Sequence, residues 1–219
     1  VSSESGSGAV GGIVGRFYGA MGYVKYSSNC SSVKGNGEYL GGIVGKFGYD
    51  PEALYPGELN GYITSCSNSG EISGEAKYIG GIVGYVEEGD SGDGEESTSE
   101  KSAVFDCYNA GAILNSAAGG IVGFADADSN VYRNLNYGHI GDGNGAGIIA
   151  DGDFGPFKRD PQCYANYYVK GYSKAGKTGV ELSVSAAKES SSYHSHITSS
   201  GVWIFSVYRF PILKNCPFQ

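Results

Sequence analysis

Gly41-Gly42-Ile43-Val44-Gly45 decides the fold, because the same five residues return at 11–15, 80–84 and 119–123, and a weaker Ala-Gly-Ile-Ile-Ala stands at 146–150. A string that recurs every few tens of residues marks stacked supersecondary units. A second motif runs between the copies: ITSCSNSGEI from Ile63, VFDCYNAGAI from Val104 and VYRNLNYGHI from Val131. Its shared form is apolar-x-x-Cys-x-Asn-x-Gly-x-Ile, with Asn134 in the Cys place of the last copy. An eroded first copy keeps Cys30 and lacks the Asn. The shortest full unit, Gly119 to Ala146, spans 27 positions. Longer units carry insertions, one from Phe47 to Asn60 and one from Glu87 to about Ser102. Extra residues confined to one point of each repeat are what a stacked coil tolerates.

A unit of this size cannot bury its own apolar side. Stacking equivalent units at about 4.8 Å buries it and pairs each strand with its neighbours. Parallel crossovers are almost always right-handed. The pattern therefore predicts an all-β, right-handed parallel β-helix (β-solenoid) of about five coils over residues 1–170. Residues 171–219 are expected to form a small C-terminal cap with a short helix, packed on the solenoid's last rung. Ser183 would N-cap that helix over Val184 to Glu189. Trp203, Phe205, Tyr208 and Phe210 would lie on the last coil, blunting an open strand edge. The N-terminal edge near Gly8 shows no such cap, so the chain reads as part of a longer one.

Composition agrees. The 219 residues include 38 Gly, 18 Tyr and a single Met, and only 17% are charged. Gly opposes helix interiors by about 1 kcal/mol per residue, which argues against an all-helical chain. A net charge of −8 repels phosphate backbones, so nucleic acid is not an expected partner. No apolar run reaches the roughly 20 residues of a membrane span.

Side chains alternate across a strand. Asn68, Asn109 and Asn136 then share an inward face and should form a hydrogen-bonded ladder. Cys30, Cys66 and Cys107 should form a neighbouring ladder of buried thiols, and Ile43, Ile82 and Ile121 a third column. The opposite face, with Ser65, Ser67, Asp106, Tyr108, Arg133, Leu135, Tyr137 and His139, is assigned to solvent. In the pentapeptide both Ile and Val are apolar, which suggests cover on both faces of that strand.

The pairing of GGIVG with SCSNSGEISG and CYNAGAI resembles the GLUG motif, over about residues 9–170. That resemblance implies a β-solenoid and a bacterial cell-surface or secreted, adhesin-like role, with no catalytic residues and no particular ligand.

Candidate sites are few. The outward row Tyr108, Arg133, Tyr137 and His139 is the best binding surface, since Tyr offers a flat apolar face with a polar tip to a glycan or a host or matrix protein. The cysteines have no zinc-like spacing, and no cofactor or metal is expected. Cys163 and Cys216 are the two candidates for a disulfide in the cap. The acidic insertion EEGDSGDGEE lacks a calcium-loop spacing and reads as a solvated loop. His194 and His196 have no motif-placed partner. Asp151, Asp153 and Asp160 cluster after the last repeat but do not recur in register. The expectation is a non-catalytic module that presents loops or spaces domains. The alternatives are a carbohydrate-active β-helix enzyme, with paired carboxylates in a cleft, or a carbohydrate-binding module.

Overall fold

The computed structural model describes residues 2–3, 8–18, 22–48, 61–87, 102–126, 129–143, 145–152, 162–174, 176 and 178–216. The repeats stack as coils of a parallel β-helix, each coil crossing five strand positions. In the second coil these are Tyr39–Gly41, Val44–Gly48, Tyr62–Thr64, Ser67–Asn68 and Ile72–Ser73. Equivalent strands pair parallel and in register: Val14, Val44, Val83, Val122 and Ile149 form one column. The amide of Ile43 donates to the Ile82 carbonyl, and that of Ile82 to Ile121, both at 3.0 Å. All three isoleucines are fully buried.

The pentapeptide is a corner rather than a strand. Gly41 ends one strand, Gly42 and Ile43 bend, and Val44 starts the next. The turn between them sends Ile43 and Val44 into the same interior, where both are fully buried. That corrects the expectation of cover on both faces: two adjacent apolar residues need no second core when the chain bends between them. The corner is tight enough to demand glycine. A Cβ on Gly41 would lie 1.9 Å from the Val44 carbonyl oxygen, and one on Gly45 2.6 Å from the Val10 amide nitrogen.

The second glycine explains why the two motifs travel together. A Cβ on Gly42, Gly81 or Gly120 would fall 2.4–2.6 Å from Cγ of Asn68, Asn109 or Asn136. The asparagine ladder therefore crosses the interior and rests on the glycines of the corner opposite. Asn68 Nδ2 donates to Asn109 Oδ1 at 2.9 Å, and Asn109 Nδ2 to Asn136 Oδ1 at 3.0 Å. Each Nδ2 also donates to the carbonyl two residues on, at Gly70, Gly111 and Gly138. Buried amides that would each cost about 1–3 kcal/mol unpaired are thus satisfied.

The first coil corrects the reading of its motif. Asn29, not Cys30, stands in register with Asn68, and its Nδ2 donates to Asn68 Oδ1 at 2.8 Å. Cys30, one residue on, points out and is exposed. The cysteine column is therefore continued downward by Ser27, whose neighbour Ser28 pairs with Ser67. Cys66 and Cys107 are stacked and buried as expected, and burial pushes the Cys107 thiol up. Upward the column becomes polar. Asn134 Oδ1 accepts from the Cys107 amide, and Asn166 Oδ1 from the Asn134 amide, each at 3.0 Å.

One residue per coil turns the chain into this column with a left-handed backbone: Tyr26, Ser65, Asp106, Arg133 and Ala165, at φ of 51–56°. None is glycine, although such angles disfavour a Cβ.

The C-terminal segment departs most from expectation. Val180–Leu182 adds a sixth strand above Tyr167–Val169. Two short 3-10 turns, Ala186–Lys188 and Ser190–Ser192, replace the expected helix, and Ser183 Oγ accepts from the Ala186 amide at 3.1 Å. One α-turn, Ser195–Thr198, follows, then the antiparallel hairpin Trp203–Ser206 and Arg209–Leu213. This strap does not lie only on the last rung. It runs back along the side of the stack, where Cys216 Sγ contacts Ser65 and Ser67 of the second coil.

Candidate functional site

The strap lies on the outer face of the fourth strand position, the one that carries the asparagine ladder inside. Its underside joins Tyr108, Leu135, Tyr137 and Tyr167 to Tyr193, Ile197, Trp203 and Leu213 in one buried cluster. Tyr137 stacks on Phe210 with centroids 4.6 Å apart, and the His194 amide donates to Tyr167 Oη at 2.7 Å. Tyr108 and Tyr137 are only 5% and 6% exposed. The face assigned to solvent is therefore a second core, and these two tyrosines are unavailable as an open binding surface. Ser65, Ser67, Asp106 and Leu135 are buried with them. The sequence signal was present: large apolar residues recur at one outward position while an aromatic-rich tail waits to cover them.

Arg133 and His139 part company with the two tyrosines. Arg133 clasps Asp106 through Nε at 2.9 Å and Nη2 at 2.6 Å, and its guanidinium lies near the Phe105 and Tyr132 rings. Asp106 also accepts from Trp203 Nε1 at 3.3 Å. The ion pair thus links the third and fourth coils, and the Trp203 bond ties the strap to it. His139 is exposed and stacks on Tyr172 at 3.9 Å. A cleft of about 570 Å3 survives beside the terminal strand, lined by Cys30, Ser69, Tyr108, Tyr137, Phe210 and Pro211.

Two aromatic arrays, not anticipated, cover other outer faces. On the third position Tyr23, Tyr62, Phe105, Tyr132 and Tyr164 follow one another at 4.9–5.9 Å. Their planes are within 16° of parallel except at the Tyr62–Phe105 step. Rings stacked this way spend their faces on each other and present edges outward, so the array is a brace rather than a platform for sugar rings. The signal in the sequence was an aromatic two places before Cys107, Asn134 and Asn166.

The second array fills the wedge outside the glycine corner. Tyr39 and Tyr78 on one wall meet Tyr85 and Phe124 on the other at 4.8–5.4 Å. Burial pushes the Tyr39 hydroxyl up to about 12. Tyr85 is shifted upward too, by burial and by its 2.7 Å bond to Asp126. Higher in the stack Asp151 takes the place of Phe124, and a cleft of about 750 Å3 opens. Lys77, Tyr78, Ser116, Asp151 and Lys174 are among its lining residues. Its charged groups suit a polar ligand.

The remaining candidates are placed as follows. Cys163 faces inward in the fifth coil, in register with Val131, and Cys216 lies outside the second coil. Three coils, about 14 Å, separate them, too far for a disulfide. His194 and His196 stack on each other at 4.6 Å beside Tyr164. Asp151 is exposed, and Glu87, the first residue of the acidic insertion, pairs with Lys46 at 2.8 Å, whereas Asp153, Asp160 and residues 88–101 lie outside the described residues. Among the described residues no three of His, Cys, Asp or Glu are grouped to hold a metal, and no helix is long and apolar enough to cross a membrane. No family model, no curated protein and no solved structure matches this chain.

Proposed function

We propose that the chain is a non-catalytic, adhesin-like display module of a bacterial cell-surface or secreted protein, of the GLUG-repeat kind, in which a rigid stack carries variable connections toward a host or matrix protein or a glycan. The observation that supports this reading is where the variable length falls. The connection from the second to the third strand position ranges from 126–129 to 87–102, and it is where the long insertions lie. Its points of departure, Phe47, Val86, Ala125 and Gly152, are paired in register, and so are its points of return, Tyr62, Ala103, Asn130 and Gln162. Connections of unrelated length thus leave from one corner of a stack whose inside is fixed by ladders. Rigid scaffolds with variable loops are where recognition concentrates.

The test replaces 49–60 and 88–101 by connections as short as 126–129. The shortened protein should keep its β-rich circular dichroism and lose binding to a panel of extracellular-matrix proteins and glycans that the full chain recognises. Unchanged binding, or cleavage of a polysaccharide by either protein, would overturn the reading.

A further inference from the structure

The two ends of the stack differ. At the upper end the corner isoleucine, Ile148, is fully buried beneath Gly179 and Tyr168. At the lower end the equivalent residue, Ile13, is 48% exposed, and Tyr23 is 50% exposed. The strands Ala9–Gly11, Val14–Tyr18, Tyr23–Lys25 and Ser28–Asn29 pair upward only, among the described residues. An edge of unpaired backbone over apolar side chains is a template for another strand.

Three candidates for the occupant can be separated by chemistry. The asparagine ladder has a direction: every Nδ2 points up and every Oδ1 points down. Asn68 Oδ1 accepts from both Gly70 N and Asn29 Nδ2, and Asn136 Oδ1 from both Gly138 N and Asn109 Nδ2. Asn29 Oδ1, nearly buried, accepts from the Ser31 amide alone among the described residues, so it has room for a donor from below. A second copy meeting this end head-on would bring acceptor against acceptor. A second copy meeting it head-to-tail would have to offer its upper end, where the corner is already covered. A parallel coil of the same pattern brings an upward-pointing amide donor and satisfies the end.

One strand of such a coil is already in place. Ser2–Ser3 pairs parallel with Lys34–Gly35, with Ser2 opposite Lys34 and Ser3 opposite Gly35. It occupies the fifth strand position of a level beneath the first coil, and the first four positions of that level hold no strand among the described residues. We propose that the N-terminal end of the stack is a docking surface for one further parallel coil, entering from the N-terminal side of Ser2, with an Asn donor to Asn29 Oδ1 and an apolar residue over Ile13. This inference rests on the fold and is independent of the adhesive role.

The test joins a copy of residues 117–140, which carries the ladder Asn136, directly to Ser2, because the stacking register places Ser2 one residue after the counterpart of Ile140. The extended protein should remain monomeric, and amides in Val14–Tyr18 and Tyr23–Lys25 should exchange at least about 100-fold more slowly than in the parent chain. Changing the ladder Asn of the added copy to Ala should abolish most of that gain while leaving exchange in Val83–Val86 unchanged. No slowing in the first coil would overturn the proposal. So would a parent chain that is dimeric in sedimentation and becomes monomeric on Ile13→Lys, because the occupant would then be a second copy.

Discussion

Asn109→Ala tests the ladder where it is most enclosed. Asn109 has no exposed surface. Its Nδ2 donates to Gly111 O at 2.9 Å and Asn136 Oδ1 at 3.0 Å, and its Oδ1 accepts from Asn68 Nδ2 at 2.9 Å. Asn68 Nδ2 keeps Gly70 O, and Asn136 Oδ1 keeps the Gly138 amide, so neither neighbour is wholly stripped. Three lost bonds at about 1 kcal/mol each, with some added cost for the Gly111 carbonyl and the void, give about 3–5 kcal/mol. For a chain of this size that lowers Tm by about 10 °C. The assay is urea unfolding followed by circular dichroism, with hydrogen exchange at the flanking Ala110 and Tyr137 amides, because stacked repeats need not unfold in one step. Asn109→Asp sharpens it. That variant keeps the shape but turns an oxygen toward two acceptors, so at neutral pH it should be no more stable than the alanine variant. Its carboxyl would be held above the ordinary value, so stability should recover as pH falls and the acid protonates. A cost below about 1 kcal/mol for Asn109→Ala, or a stable Asn109→Asp at neutral pH, would refute the claim that the ladder holds the coils in register.

Two further outcomes follow from other parts of the stack. Ala165→Gly should stabilise by about 0.5–1 kcal/mol in thermal or urea unfolding, since Ala165 sits at φ 51° without the side-chain contacts that hold Asp106 and Arg133 there; a comparable loss would show that the left-handed corner carries no strain. Alkaline unfolding should begin near pH 10. Burial raises Tyr39 to about 12, and it raises Tyr137 and Tyr193 as well, from an ordinary value near 10. Because the folded chain holds these protons more tightly, their stabilisation is complete below pH 10 and disappears as pH rises through the folded values. Tyrosinate absorbance and loss of circular dichroism should therefore rise together for these residues; a fold that persists while they ionise would contradict the assignment of burial.

The sequence alone determined the repeat, the parallel stack, the asparagine and isoleucine columns and the stacking of the Cys66 and Cys107 thiols. These are legible because in-register stacking makes equivalent residues neighbours, so the spacing of the string is itself the contact map. The same logic placed the variable connections at one point of each coil. It misplaced Cys30, which lies three residues beyond Ser27, the residue level with Cys66, since in an eroded copy the register is set by the coil above and not by the nearest cysteine. The tertiary structure decided which outer face stays open. Tyr108 and Tyr137 alternate with the inward asparagines like surface residues, yet a tail from far along the chain covers them, and a tail that occurs once has no period to fix where it lies. It also decided that GGIVG is a corner: Ile43 and Val44 share one core because the backbone bends between them, and alternation along a straight strand cannot reveal a bend.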